Sequence, residues 1–198
     1  MKIEKITLEG KFVRLEPLLL DKHFADLCEV GLDADIWQWS PRQIKSEADL
    51  KHYIETALDE ELRGVSLPFA TILKETSKAI GSTRFGSIDA ANKRVEIGWT
   101  WISPAFHRTF VNTEAKFLML RHAFETWSCN RVELKTDALN ERSRRAILRI
   151  GAKEEGVLRK HIVTDSGRLR DTVYFSILDV EWRNGVKENL LNKLQVKS

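Results

Sequence analysis

Two cysteines in 198 residues, Cys28 and Cys129, are too few and too far apart for a disulfide framework or for metal-ligand spacing. Both fall within apolar patterns and read as buried free thiols. No apolar run approaches membrane-spanning length, and the opening Met1-Lys2-Ile3-Glu4-Lys5-Ile6 puts charges where a signal peptide carries its apolar segment. The expectation is a cytoplasmic protein without a membrane partner. A charge surplus is missing too: 32 Lys and Arg against 29 Asp and Glu leave +3, too little for charge alone to select nucleic acid. An anionic small molecule is compatible with it. The 10 glycines and 4 prolines stand singly where periodic segments end, with no Gly/Ser linker, repeat or low-complexity stretch. What is present, 42% hydrophobic and 31% charged residues, is a globular composition of a length that suits one core, so residues 1–198 read as a single domain.

Changes of period divide the chain into elements. Residues 11–16 alternate Phe12 and Leu15 with charged neighbours and meet Pro17, a short strand followed by a breaker. Residues 21–30 carry Phe24, Leu27 and Cys28 at helical spacing. Residues 46–62 do the same with Leu50, Tyr53, Ile54, Ala57, Leu58 and Leu62, behind an N-cap pattern at Ser46 and Asp49. Beyond Pro68 the period shortens, and residues 69–73, 79–88 and 95–102 predict three strands of an antiparallel meander. Residues 113–127 return to helix, with Phe117, Leu120, Phe124 and Trp127 on one stripe and Glu114, Lys116, Arg121 and Glu125 outside it. A half-exposed strand at 132–136 and a helix at 140–150, capped by Asn140 and stopped by Gly151, come next. Strands at 152–158 and 172–177 complete a mixed α/β pattern with one helical crossover.

That crossover holds the residues with chemical potential. Gly98 interrupts a well-filled strand, the mark of a bulge or of a backbone that something approaches closely. The strand ends at Trp101-Ile102-Ser103-Pro104, and the turn His107-Arg108-Thr109-Phe110-Val111-Asn112 delivers the chain into a helix. A helix N-terminus offers unpaired N–H donors and a positive dipole end, so this turn suits a pyrophosphate, with Arg108 adding a charge-assisted bond. Glu114, in the first turn, suits an anion there only if it faces away. Asn140 and Ser143 share a helix face, and Ser143 lies in line with Ile147 and Ile150, so its hydroxyl points inward; capping alone also accounts for Asn140. Between the first two helices, Trp37-Gln38-Trp39-Ser40-Pro41 concentrates aromatic surface; one tryptophan is expected to cover the core and the other to line an acceptor site.

Glu96-Ile97-Gly98-Trp99, the His107-Arg108-Thr109 turn, Asn112-Thr113-Glu114-Ala115-Lys116, and Asn140-Glu141-Arg142-Ser143 followed by Gly151-Ala152 resemble the GNAT superfamily of acetyltransferases. The likeness is greatest to its ribosomal-protein-serine/alanine N-terminal (RimJ/RimL-like) branch and runs from Arg14 to Phe175. It implies an α/β GNAT fold: a central, mostly antiparallel sheet of about seven strands, splayed between the fourth and fifth, with helices on both faces. It implies acetyl-CoA as cosubstrate, no metal, and transfer to a primary amine by direct attack in a ternary complex. The backbone of Ile97, Gly98, Trp99, Thr100, Trp101 and Ile102 would pair with the pantetheine arm. The amides of His107, Arg108, Thr109, Phe110, Val111 and Asn112 would hold the pyrophosphate. Asn140 would orient cofactor amides, and Ser143 would hydrogen-bond or protonate the departing thiolate. Phe110 or Val111 stands where the family's loop has its first glycine, a departure.

The chemistry asks for an oxyanion donor, met by N–H groups near residues 99–101, and for a neutral amine. Glu96 is the candidate base; it could equally pair with Arg84 or Arg94, and water can serve instead for an α-amine that titrates near neutrality. His107 and His161 read as surface residues. The acceptor is a peptide N-terminus or a small amine such as an aminoglycoside or polyamine, and the fold does not choose. An open groove between the Trp37 loop and residues 164–170 would suit a peptide, a closed pocket with acidic groups a small molecule. The arginines at 142, 144, 145, 149, 159, 168 and 170 raise a nucleic-acid or ribosome-surface binding module, for which no reader motif is present. A non-catalytic acyl-CoA-binding protein is the remaining alternative, and the resemblance brings with it a homodimer paired through sheets or last strands.

Overall fold

The structure, a computed structural model, describes residues 1–195. Its strands are β1 (Leu8–Glu9), β2 (Val13–Pro17), β3 (Leu67–Leu73), β4 (Lys78–Asp89), β5 (Arg94–Ile102), β6 (Arg131–Asp137), β7 (Lys153–Val163) and β8 (Leu169–Leu178). The helices are α1 (Leu20–Gly31), α2 (Ala34–Trp37), α3 (Glu47–Leu62), α4 (Phe110–Arg121), α5 (Glu141–Arg149), α6 (Asp179–Glu181) and α7 (Lys187–Gln195). Eight strands make one sheet in the order β1-β2-β3-β4-β5-β6-β8-β7. About seven strands are expected from the sequence; the additional β1 has two residues, too few to show a period.

Short turns join β3 to β4 and β4 to β5, and these pairs are antiparallel. Between β5 and β6 the chain crosses over through α4, so this pair is parallel. Side chains alternate across the sheet and sort the helices. Val132, Leu134, Val173 and Phe175 share a core with Phe117 and Leu118 of α4, Ile147 of α5 and Leu190 of α7. Ala70, Ile72 and Trp101 meet Leu27 of α1 and Leu50 and Ile54 of α3 on the opposite face.

Several expectations shift. The first strand does end at Pro17, which is itself the last residue of β2, opposite Phe69, and it begins at Val13 rather than at 11. Helix α4 starts at Phe110, three residues earlier than its apolar stripe suggests, because Thr109 Oγ1 accepts the Val111 N–H at 3.3 Å. Past Arg121 the helix gives way to a π turn over residues 122–126. Glu114 and Lys116, placed outside the buried stripe by periodicity, are 3% and 5% exposed, since α4 packs between the sheet and α7. Strands β7 and β8 run longer than their alternation indicates, because bulges at residues 154–156 and 158–162 break the register. Cys129 is buried, and burial pushes its thiol up to about 11. Cys28 is half-buried rather than buried. The segment after β8 has no sequence reading; it anchors through Trp182, 2% exposed and stacked on Phe124 at 5.6 Å.

Glu16 of β2 gathers Arg14 Nε at 2.6 Å, His23 Nε2 at 3.3 Å and Lys22 Nζ. Burial alone would raise its pKa, but these donors outweigh it and hold the carboxyl at about 2 instead of 4.5. The stabilisation is therefore complete above the ordinary carboxylate range and is lost as pH falls toward 2. Glu16→Gln is expected to cost about 1–2 kcal/mol at pH 7, with the deficit closing below pH 3, measured by urea unfolding.

Candidate active site

The parallel contact between β5 and β6 lasts three residue pairs, from Arg94 opposite Arg131 to Glu96 opposite Glu133. From Ile97 onward β5 keeps β4 on one side and diverges from β6 on the other. A bulge drives the divergence: Gly98 faces Arg84 and Trp101 faces Ser82, so β5 spends one more residue than β4. Trp99 takes up the extra length with φ +49°, a left-handed conformation that costs a bulky residue about 1 kcal/mol or more.

Packing holds Trp99 there. Its carbonyl accepts from Tyr53 Oη at 3.3 Å, the Arg84 guanidinium lies 5.0 Å from its ring centroid, and Lys135 Nζ lies at 5.7 Å. The ring covers Gly86 so closely that a Cβ there would stand 2.4 Å from it. Gly86→Ala should thus push Trp99 aside, costing about 1–3 kcal/mol in stability. The stability loss is read by thermal unfolding; the acetyl transfer that the resemblance implies should fall by about tenfold or more from the displaced bulge, read by thiol release. The sequence expectation of a special backbone at Gly98 agrees with the bulge. A Cβ on Gly98 would meet Glu96 Oε1 at 2.8 Å, so the glycine also leaves room for that carboxylate.

The second component is the start of α4. After the turn Pro104–Phe106, Arg108 adopts φ +61° and Thr109 caps the helix. Phe110, in the place of the family's loop glycine, packs on Phe12 with centroids 4.1 Å apart and joins the core. The first-turn amides have no partner within the helix. Glu114 does face away: its carboxylate accepts the N–H groups of Lys11, Phe12 and Val13 at 2.8, 2.8 and 2.7 Å. His107 is half-buried, with Nδ1 3.2 Å from Arg142 Nη1 of α5. Burial and the Arg142 charge hold its pKa below the usual histidine value. A cavity of about 330 Å³ lies beside this turn, not in the splay, lined by Thr109, Phe110, Thr113, Arg149, Asn189 and Lys193, among others.

Asn140 Oδ1 accepts the Ser143 N–H at 3.0 Å, the capping arrangement. Ser143 is half-buried on the side of α5 that buries Ile147 and Ile150, so it lies on the α4 face of the sheet. Glu96 is on the other face, 3% exposed, with Ser87 Oγ at 3.1 Å and Lys135 Nζ at 2.9 Å. Neither arginine expected beside it is there: Arg84 pairs with Glu60 at 2.8 Å and Arg94 with Asp89 at 3.1 Å. The two candidate catalytic side chains therefore lie on opposite faces of the sheet.

Trp37 is a core residue. It is 3% exposed, donates to Gly31 O at 2.7 Å and packs on Tyr53 and Trp101. Trp39 is half-buried beneath the Arg168 guanidinium, 5.7 Å away. The groove between this loop and residues 164–170 is bridged. Asp165 donates its N–H to Pro41 O at 2.9 Å and accepts from Gln43 N at 3.0 Å and Arg42 Nη1 at 3.3 Å. On the same face Asp137, fully buried, binds Arg168 and lies 3.9 Å from Arg170 Nε. Arg144 and Arg145 face Glu154 and Glu141, so much of the arginine cluster is neutralised within the fold.

Sequence reading misses Lys116, Lys135 and Asp137. For Lys116 the signal was available: a charged residue next to Phe117 in a helix that is apolar on several sides. No group of three or more His, Cys, Asp or Glu positioned for a metal ion occurs among the described residues. No described helix is long and apolar enough to cross a membrane.

A parallel strand pair that parts beside a bulge, facing a helix N-terminus across the crossover, is the arrangement that the resemblance to acetyltransferases implies. The family model for the acetyltransferase (GNAT) domain matches residues 13–153, and the chain belongs to that family. The uncharacterized N-acetyltransferase p20 of Bacillus licheniformis is 30% identical over 159 residues, covering 79% of this chain and 87% of its own. YdaF of Bacillus subtilis, named as a candidate ribosomal N-acetyltransferase, is 35% identical over 102 residues, 52% of this chain and 55% of that one. The crystal structure of a GCN5-related N-acetyltransferase from Brucella melitensis superposes with a TM-score of 0.89 at 33% identity, covering 97% of this chain and 86% of that one. RimJ of Mycobacterium smegmatis, solved with CoA-disulfide, shares the fold with a TM-score of 0.77 at 21% identity, covering 91% of this chain and 88% of that one. The chain is an N-acetyltransferase of the GNAT family.

Proposed function

We propose that this protein transfers the acetyl group of acetyl-CoA to a primary amine in a ternary complex, with a protein N-terminal α-amine as the first choice of acceptor. The observation that carries the reading is the divergence of β5 from β6 after Glu96, which leaves strand backbone at 97–102 without a strand neighbour on that side, in front of the α4 N-terminus. The residues fit the cosubstrate: Phe110 is drawn onto Phe12, and Glu114 is satisfied elsewhere, so neither crowds an anion at residues 107–112. Bound there, acetyl-CoA supplies an activated acyl carbon. Backbone N–H groups near the Trp99 bulge then serve the developing oxyanion, and Ser143 faces the leaving sulfur from the α5 side. Glu96, already bound by Lys135 and Ser87, orients the acceptor and hands its proton to water, which suffices for an α-amine that titrates near neutrality. Residues 1–198 act as one catalytic unit in the cytoplasm, and two copies pair through β7, a long exposed edge strand.

The names of YdaF and RimJ-like relatives favour a ribosomal or other protein terminus. The bridge from Asp165 to residues 41–43 favours a small amine instead, because it closes the groove a long peptide would occupy. Calorimetric titration with acetyl-CoA, CoA and desulfo-CoA tests the cosubstrate site, with micromolar binding expected and none at millimolar ligand fatal to the reading. Thiol release with peptides beginning in Ala or Ser, set against aminoglycosides and polyamines, then assigns the acceptor. Glu96→Gln is expected to raise KM for the amine more than it lowers kcat.

A further inference from the structure

Lys116 is a buried group that this reading leaves unused. Its Nζ donates to Thr83 Oγ1 of β4 at 3.1 Å and to Thr100 Oγ1 of β5. The two hydroxyls lie 2.7 Å apart, and they reach the Gly98 carbonyl at 3.4 and 3.3 Å. Charged groups on the surrounding elements are engaged elsewhere. Glu114 of the same helix takes the N–H groups of residues 11–13, and Arg149 of α5 donates to Thr113 at 3.0 Å. Arg84 of β4 and Glu96 of β5 turn to the other face, toward Glu60 and Lys135. Met119, one turn along α4, presents its sulfur to Thr83 at 3.6 Å. With only neutral partners, burial brings the ammonium from 10.5 down to about 7. Thr100, by contrast, is exposed and follows the left-handed Trp99, where β5 has left β6. A buried amine thus opens onto the splay through one hydroxyl.

We propose that Lys116 and Thr100 form a proton relay to the sulfur released in acetyl transfer, Thr100 meeting the substrate and Lys116 acting through it as a positioning residue that stores the proton. This rests on the acetyl-transfer reading above. The amine nitrogen bonds to the acetyl carbon, the carbon–sulfur bond breaks, and its electron pair leaves on sulfur. Sulfur takes the Thr100 hydroxyl proton, and Thr100 takes one from the Lys116 ammonium. The neutral lysine regains a proton from solvent, which has received the one shed by the amide nitrogen. A thiol holds its proton near pH 8.5, so delivery from this lysine runs downhill.

The test uses the full chain labelled with ¹³C,¹⁵N-lysine, the Lys116 signal being assigned by its loss in Lys116→Met. The expected titration midpoint lies near pH 7 and moves when CoA is added to saturation. A midpoint above about 9, or none that responds to CoA already shown by calorimetry to be bound, overturns the relay whether or not an acceptor is known. With an acceptor in hand, Lys116→Met and Lys116→Arg should each lower kcat about tenfold or more at similar KM for acetyl-CoA and abolish the alkaline limb near pH 7. Thr100→Val should do the same and Thr100→Ser should restore the rate. If Lys116→Arg keeps wild-type kcat and pH profile, a fixed charge suffices and the relay is wrong. Failure of CoA to bind would instead remove the acetyl-transfer reading itself, and failure of every amine only the choice of acceptor.

Discussion

Lys116→Met is expected to unfold at a higher temperature than the wild type, the opposite of what loss of a hydrogen-bonded core residue usually brings. The folded chain holds this ammonium at about 7 against 10.5 when free, so between those values the unfolded chain carries a proton that the folded one releases. Wild-type stability therefore rises with pH across that window, and below pH 7 the full penalty of the buried charge is present. Methionine has a similar length and no charge to desolvate. Thr83 and Thr100 remain hydrogen-bonded to each other and to Gly98 after the change. The gain should approach at most about 5 kcal/mol below pH 7 and shrink to nothing above pH 10. Guanidinium unfolding of both proteins from pH 6 to 10 measures it. Equal stabilities at all pH values would mean that the amine stays charged and hydrated in the fold, as it is in the unfolded chain. A variant both more stable and less active would mark Lys116 as a group retained for the reaction, the trade expected of a buried charge at a working site.

The largest loss is expected from Glu114→Ala. One carboxylate, 3% exposed, satisfies three consecutive backbone donors of the β1–β2 turn, and all three would be left without an acceptor. At about 1–3 kcal/mol for each orphaned buried donor, and allowing for water reaching Lys11, the cost is about 3–6 kcal/mol. Glu114→Gln keeps one acceptor oxygen but turns an N–H₂ toward a donor, and should fall between. The turn also carries Phe12, which holds Phe110 away from the α4 amides. Glu114→Gln should therefore weaken acetyl-CoA binding several-fold at a temperature where the variant is folded, measured by calorimetry beside circular dichroism. Unchanged stability in Glu114→Ala would show that the turn rearranges to find other acceptors. Gly10 belongs to the same device, since a Cβ there would stand 2.6 Å from the Glu114 carboxyl carbon.

These residues also mark how far the sequence was readable. Gly98 in a β-branched and aromatic strand announced the bulge, because a strand interior tolerates glycine only where the backbone departs from the ladder. That a helix follows Arg108-Thr109 was legible for a similarly local reason, the turn residues that precede it. Trp37 and Glu96 were harder. A tryptophan in a loop can turn either way, and tertiary packing on Tyr53 and Trp101 turned Trp37 inward. Glu96 found Lys135, from a strand 39 positions along the chain, which no local pattern connects to it. Glu114 and Lys116 looked solvent-facing because helical periodicity records one buried stripe, whereas α4 is enclosed by the sheet on one side and α7 on the other.

The sequence by itself determined the order of the main strands and helices from β2 to β8, the crossover, the caps of α3 and α5, and the family, because each depends on short-range periodicity or on motifs a few residues long. The tertiary structure decided which charges are buried, which carboxylate meets which cation, and that the loop at 38–43 is tied to Asp165. Those outcomes depend on burial and on contacts between residues more than a hundred positions apart, and burial, not proximity in the chain, sets what a charge costs and where its proton resides.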